Sequence, residues 1–95
     1  MVKKLTKSIL QPNEKRCFIS GSETNLDLHH IYAGVGRRKL SDKWGCVVWL
    51  RHDIHMDLHE RNKSLDFELK RICQERFEEL YSHEKFMAVF GKNYL

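Results

Sequence analysis

The chain has 95 residues, of which 41% are hydrophobic and 32% are charged, and its formal net charge is +4. This length allows one small domain with a single modest core, and the composition excludes a disordered or membrane protein. No apolar run approaches the roughly 20 residues that a membrane-spanning helix needs, and no signal peptide follows Met1. We therefore expect a cytoplasmic protein that does not act at a membrane.

The positive charge is concentrated in two segments of the chain. Residues 1–16 carry five basic side chains against Glu14, and we assign them to a basic, loosely docked N-terminal arm that precedes a domain at 17–95. Residues 37–51 hold the second group, which is Arg37, Arg38, Lys39, Lys43 and Arg51, against Asp42. Basic groups favour a polyanionic partner, because each neutralised phosphate releases condensed counterions. On charge alone, a solvated surface explains these groups equally well.

Two strand patterns and one glycine-rich segment come next in the chain. Residues 17–22 (CFISGS) predict a short strand that leads into a turn, and the alternation of residues 26–31 (LDLHHI) predicts a second strand, so that the two form a hairpin. Residues 32–45 contain Gly34, Gly36 and Gly45 around a cationic centre, and predict a long functional loop. Residues 46–50 (CVVWL) predict a buried strand that pairs with 26–31.

The pattern becomes helical from Asp53 onward. Ile54 and Leu58 fall on one side of a short helix over 53–60, with Asp53 as its N-cap or first-turn acid. An apolar stripe predicts a long helix over 64–81 with Ser64 as N-cap, and Ser82 and Gly91 bracket a last helix. The fold class is therefore predicted to be α+β.

The three cysteines, Cys17, Cys46 and Cys73, are odd in number and include no closely spaced pair. This pattern argues against a disulfide framework and against a zinc site made of four cysteines. We expect all three thiols to be reduced.

Five of the six histidines lie between Leu26 and Glu60. A single histidine is more often incidental than functional, but a group of five calls for a chemical explanation. His55 and His59 are four residues apart, so on a helix both rings can bind one metal ion. His29 and His30 are neighbours on a strand and point to opposite faces, which suggests two roles. One would complete a three-histidine metal site with open coordination positions, and the other would be a general base.

This series of motifs resembles the HNH endonucleases. The motifs are LDLHHI, a basic loop with glycines, an apolar strand and H-x3-H on a helix, and the similarity is closest to small HNH proteins of bacteriophages, which also end in a sequence like FMAVFGKNYL. The resemblance covers roughly residues 16–95. It implies a ββα-metal core (β-hairpin, long loop, helix) followed by C-terminal helices, in a phage-encoded enzyme of the host cytoplasm that hydrolyses phosphodiester bonds in DNA.

The resemblance also assigns roles to individual residues. It implies that His30 is the general base and that His29, His55 and His59 bind one divalent metal ion. Asp27 joins His30 in the catalytic set as a carboxylate that orients a basic side chain or a ligand. The metal is zinc, manganese, nickel or magnesium, of which magnesium suits imidazole ligands least.

The remaining site residues are the basic ones. Arg37, Arg38, Lys39, Lys43, Arg51 and His52 are expected to contact DNA, chiefly its phosphates. The chain departs from the family pattern at Gly45, near the place of the usual middle asparagine. It also has Ser20 and Arg51 where partners for Cys17 in a structural zinc site are expected, so no structural zinc is predicted.

The sequence is also consistent with two alternatives. In one, the chain is a non-catalytic DNA-binding module stabilised by zinc, with His52 or Cys46 as the fourth ligand of a closed site. In the other, it is an interaction protein whose site has decayed, which predicts neither metal binding nor cleavage. The sequence leaves the oligomeric state open between a monomer and a homodimer.

Overall fold

The computed structural model of the protein describes residues 8–95, so the first seven residues of the predicted basic arm lie outside the described residues. The elements follow the order β1 (Leu26–His30), α1 (Arg37–Trp44), β2 (Val47–Arg51), α2 (His52–Glu60), α3 (Lys63–Leu80) and α4 (His83–Phe90). In this described part of the chain, a two-stranded antiparallel sheet and four helices make an α+β fold, as predicted. Within residues 8–95, no helix is both long enough and apolar enough to cross a membrane.

The pairing of β1 with β2 decides which side chains face α2. The strands are antiparallel, with Asp27 opposite Leu50 and His29 opposite Val48. Because side chains alternate between the two faces of a sheet, these four residues share one face, on which Val48 and Leu50 are fully buried. The predicted pairing of residues 46–50 with 26–31 is confirmed.

The predicted strand over residues 17–22 is wrong, and so is its hairpin with 26–31. This segment forms a closed turn in which the Gly21 amide donates to the Cys17 carbonyl at 2.8 Å and the Cys17 amide donates to the Ser22 carbonyl at 2.7 Å. Gly21 has φ of +78°, a conformation that glycine adopts without steric cost. The amide and carbonyl groups of Cys17, which could pair with β1 in a strand, are therefore hydrogen-bonded within the turn.

The predicted loop at residues 32–45 contains helix α1, which the sequence analysis missed. Gly36 and Gly45 stand at the two ends of the helix with positive φ and do not interrupt it. On its inner side, the Ser41 hydroxyl donates to the Tyr32 carbonyl at 2.6 Å and accepts from the Tyr32 amide at 3.0 Å. These two bonds fix α1 against the end of β1.

The other helices lie close to their predicted positions, with one capping error. Helix α2 starts directly after β2, and Asp53 is an acid of its first turn. The N-cap of α3 is Asn62, whose side chain accepts from the Leu65 amide at 3.0 Å, and Ser64 lies inside the helix. Ser82 caps α4 and Gly91 ends it in the left-handed conformation, as predicted.

The described part of the predicted arm, residues 8–16, packs against the domain and is not loosely attached. Gln11 is only 2% exposed. Its side-chain oxygen accepts from the Trp49 amide at 2.8 Å, and its side-chain nitrogen donates to the Arg16 carbonyl at 2.7 Å. The first bond attaches the segment to the open edge of β2, and the second lies within the segment.

The aromatic part of the core lies between α3, α4 and the segment that follows β1. Tyr32 contacts Phe86, Phe90 and Tyr94 with ring centroids 4.5 to 5.5 Å apart. The Tyr32 hydroxyl donates to the Lys70 carbonyl at 2.7 Å, so its polar end is satisfied. This core forms without any histidine side chain, and the fold therefore has a source of stability separate from the histidine group.

Gln74 anchors the C-terminal segment to α3. It is fully buried, its side-chain oxygen accepts from the Tyr94 amide at 2.7 Å, and its side-chain nitrogen donates to Asn93 at 2.7 Å. We expect Gln74→Ala to lower the free energy of unfolding by about 1–3 kcal/mol, because a buried amide loses its acceptor. Urea denaturation measures this, with Glu75→Ala at the exposed neighbouring position as a control that changes stability by less than about 0.5 kcal/mol. Equal losses in both variants would contradict the role of Gln74.

Candidate metal centre

Three histidines from two elements converge beside the sheet. His29 comes from β1, whereas His55 and His59 come from α2, and one ring nitrogen of each lies within 4.8 Å of the others. The Nε2 atoms of His55 and His59 are 3.2 Å apart. A tetrahedral ion with bonds of about 2.0 Å holds its ligand nitrogens about 3.3 Å apart. The donor atoms therefore have the chemistry and nearly the spacing of a three-histidine metal site.

The local structure explains why these rings meet. On a helix, residues four apart lie on one face, which brings the rings of His55 and His59 to a centroid distance of 4.8 Å. His29 belongs to the sheet face that packs against α2, and its ring centroid lies 5.1 Å from that of His55 and 5.6 Å from that of His59. The structure thus brings together the three residues predicted as metal ligands.

His29 carries a buried nitrogen that nothing in the described chain satisfies. The residue is 3% exposed, and its Nε2 has no hydrogen-bond partner among residues 8–95. Burial, followed by the positive charges that His55 and His59 carry when protonated, lowers the pKa of His29 to about 4. The ring is therefore neutral at pH 7. A buried nitrogen without a partner is costly, and binding a cation would remove that cost.

Asp27 lies behind this cluster and binds two histidines with one oxygen. Its Oδ2 accepts from Nδ1 of His52 at 2.7 Å and from Nδ1 of His55 at 3.0 Å. The hydrogen bonds from His55 and His52 lower the pKa of the Asp27 carboxyl. With the proton of His55 held on Nδ1, its Nε2 is free to bind a metal. Asp27 was predicted to orient a ligand or a basic side chain, but its contact with His52 was not foreseen.

The His30 side chain projects from the face of β1 opposite to that of His29, yet it lines the same cavity as His29, His55 and His59. This cavity, of about 220 Å³, is lined by Leu28, His29, His30, Ala33, Arg38, His55 and His59. The Nε2 of His30 lies 3.7 Å from the Asp42 carboxylate. Burial and the nearby charge of Arg38 lower the pKa of His30 below its usual value, although Asp42 acts in the opposite direction. A neutral imidazole, able to accept a proton at pH 7, therefore faces the space beside the three nitrogens.

The residues predicted to bind DNA divide into two groups. Arg38 and Lys39 line a second cavity next to His30, and Arg37 and Lys43 are exposed elsewhere on α1. The other two are engaged by acids: Arg51 forms an ion pair with Asp53 at 3.2 Å, and His52 binds Asp27. Among the residues predicted to bind DNA, Arg38 lines the histidine cavity itself and Lys39 lines the cavity next to it.

Sequence reasoning missed Asp42 as a partner of His30. Gly45, near the place of the middle asparagine in the HNH pattern that the sequence resembles, is the C-cap of α1 and has no side chain to offer. Asp42 lies four residues after Arg38, so both project from the same side of α1. The sequence indicates that Asp42 and Arg38 share one side only if residues 37–44 are predicted to form a helix.

Neither candidate for a fourth ligand joins the cluster. Within residues 8–95, the group of possible ligands contains His29, His55 and His59 alone. Cys46 is fully buried and hydrogen-bonds Cys73 in the core, and both thiols are free of disulfides. Three protein ligands leave coordination positions for water or substrate, which distinguishes a catalytic site from a closed structural one.

No protein-family model, curated protein or solved structure matches this chain. The histidine geometry is therefore the observation on which a function has to rest.

Proposed function

We propose that the protein is an HNH-type endonuclease that hydrolyses phosphodiester bonds in DNA, with one divalent metal ion on His29, His55 and His59 and with His30 as general base. The observation that carries this proposal is the cluster of three imidazole nitrogens within 4.8 Å, together with a fourth, separate imidazole in the same cavity. The three clustered histidines would bind the cation, whereas His30 would accept the proton.

The chemistry of the donor set fits a transition metal. Imidazole nitrogens favour zinc, nickel or manganese over magnesium, which prefers oxygen ligands. When bound, the metal ion supplies Lewis-acid stabilisation of the negative charge that develops on the phosphate. Asp27 holds His55 in the tautomer that leaves Nε2 free, and the low pKa of His29 keeps that ring neutral.

His30 takes the proton from the attacking water. Its lowered pKa keeps it unprotonated at pH 7, and the Asp42 carboxylate at 3.7 Å limits the orientation of its ring. Arg38 lines the same cavity and is available for a phosphate oxygen. By the resemblance to HNH enzymes, the products carry 5′-phosphate and 3′-hydroxyl ends.

DNA is the proposed partner because the charges beside the cavity are basic and exposed. Arg37, Arg38, Lys39 and Lys43 all lie exposed on α1, and Arg38 and Lys39 line the cavities beside His30. Phosphate contacts position a duplex without reading its sequence, so we expect little sequence preference. We further infer that the enzyme acts in the cytoplasm, where a phage nuclease meets DNA.

A plasmid assay with each metal in turn tests this function. Purified protein is incubated with supercoiled plasmid and zinc, manganese, nickel, magnesium or a chelator, and we expect nicked or linear DNA with at least one metal and none with the chelator. Nicks with 5′-phosphate and 3′-hydroxyl ends are resealed by DNA ligase, which checks the chemistry. His59→Ala is the matched protein control, because His59 is exposed and its loss removes a ligand without disturbing the core. Cleavage that persists in the chelator, or that no metal supports, would contradict the proposal.

A further inference from the structure

At the C-terminal end of α1, a lysine of α1 and a lysine of α4 both lie over the indole ring of Trp44. The ammonium of Lys85 lies 5.1 Å from the centroid of the Trp44 ring, and that of Lys43 lies 5.9 Å from the same centroid. Both lysines are exposed, and Tyr81 packs edge-on against Trp44 at 5.3 Å. We call Lys43, Trp44, Tyr81 and Lys85 the lysine–aromatic patch. Cation–π contacts hold its two charges at one place on the surface.

Tyr81 presents a fixed aromatic ring to solvent. The ring is supported by Phe77 at a centroid distance of 4.8 Å and by the edge contact with Trp44, yet Tyr81 is 50% exposed. An aromatic ring held in this way loses little entropy when a base stacks on it, and such stacking is a common means of binding single-stranded nucleic acid. The proposed DNA contacts of the histidine cavity do not use this residue.

The lysine–aromatic patch continues the basic surface beside the histidine cavity. Lys39 lines the cavity next to His30, and Lys43 lies four residues later on the same side of α1. From Arg38 to Trp44 the helix rises about 9 Å. At about 3.4 Å per nucleotide along a strand, this distance corresponds to two or three nucleotides. A strand with its phosphate at Arg38 therefore reaches Trp44 within that number of nucleotides, and the Tyr81 ring lies next to Trp44, at a centroid distance of 5.3 Å.

We infer that the lysine–aromatic patch binds a short single-stranded segment of DNA next to the cleaved position, with Tyr81 stacking on a base and Lys43 and Lys85 contacting phosphates. In a continuous duplex each base is covered by its neighbours, so only an unpaired or terminal base can stack on Tyr81. The substrate class is thus DNA with a single-stranded overhang or flap. This inference rests on the proposed nuclease function and specifies its substrate.

Binding in the presence of a chelator, where the proposed enzyme does not cut, tests the stacking. Fluorescence anisotropy compares a blunt duplex with duplexes that carry a three-nucleotide overhang of either polarity, and we expect the preferred overhang to bind roughly five- to tenfold more tightly. Tyr81→Ser should remove this preference and Tyr81→Phe should keep it. Phe67→Ser is the matched control, because Phe67 is equally exposed, at 51%, but lies outside the lysine–aromatic patch.

The lysines are tested by the dependence of binding on salt. Lys85→Gln should weaken binding and reduce the slope of log affinity against log salt by about one. Lys92→Gln removes the same charge from a lysine that also lies over an aromatic ring, 5.3 Å from Tyr94, and should leave binding unchanged. Equal effects of the two substitutions would assign the loss to net charge and overturn the role of Lys85.

The two proposals fail in different ways. If the plasmid is cut but wild-type protein binds blunt and overhang DNA equally, or Tyr81→Ser keeps the preference, only the inference about the lysine–aromatic patch is wrong. If no metal supports cleavage while the preference depends on Tyr81, the patch is a DNA site and the nuclease assignment is wrong.

Discussion

Replacing His30 with alanine is expected to reduce the rate of plasmid cleavage by about 10²- to 10⁴-fold, the usual contribution of a general base. The reason is that His30 lines the cavity but does not belong to the group formed by His29, His55 and His59. Its pKa is also lowered below the usual value of histidine. Among the described residues, no other imidazole outside the histidine cluster lines this cavity.

Metal binding should survive this substitution. His30 lies on the opposite face of β1 from His29 and belongs to none of the contacts among His29, His55 and His59. Single-turnover cleavage and isothermal titration with the activating metal separate the two effects. A loss of activity that merely followed a loss of metal binding would remove His30 from its proposed role.

The matched control is the sixth histidine. His83 lies at the start of α4, where its ring contacts Glu78 at 2.7 Å, outside the cavity. His83→Ala should therefore cut plasmid at the wild-type rate. If His30→Ala also retained that rate, the general-base assignment would be wrong.

The parts of the fold that follow a strict periodicity could be predicted from the sequence. The alternation of residues 26–31 and the apolar run at 46–50 indicated the pairing of β1 with β2, and the spacing of His55 and His59 indicated one helix face. These patterns are local, and each depends only on which residues must be buried. To predict the contact between His29 and α2, one must also assume that the helix packs on the face of the sheet that carries His29.

The failures came from segments in which tertiary contacts outweigh local signals. From sequence alone Gly36 and Gly45 indicate a loop, whereas in the structure they flank α1, which is fixed by the bonds between Ser41 and Tyr32. Residues 17–22 have strand-forming side chains, but the turn closed by Gly21 prevails. The contact of Asp42 with His30 depends on α1 and was therefore unpredictable without it.

The second large effect is expected in thermal stability. At a concentration 100 times the dissociation constant, a ligand that binds only the folded state stabilises it by about 2.7 kcal/mol. For a domain of this size, that corresponds to a rise in Tm of roughly 10–20 °C. We expect the activating metal to produce such a rise in wild-type protein, because three ligands from β1 and α2 come together only in the folded chain.

His59→Ala should abolish most of this rise while the Tm without metal stays close to that of wild-type protein. His59 is the exposed member of the cluster, so its removal leaves no cavity in the core. His29 is a poorer choice, because it is 3% exposed and its removal would also change packing. Differential scanning fluorimetry with and without metal measures both variants, and an equal rise in His59→Ala would show that the metal binds elsewhere.

The same measurement separates a catalytic site from a structural zinc site. The aromatic core around Tyr32 and Phe77 forms without the histidines, so a chelator should abolish cleavage and return the Tm to its metal-free value without unfolding the protein at 25 °C. A closed zinc site that supplied the folding energy would instead unfold on chelation. Loss of near-ultraviolet circular dichroism in the chelator at 25 °C would therefore favour the non-catalytic module, whereas a retained signal with lost cleavage is what three ligands and open coordination positions predict.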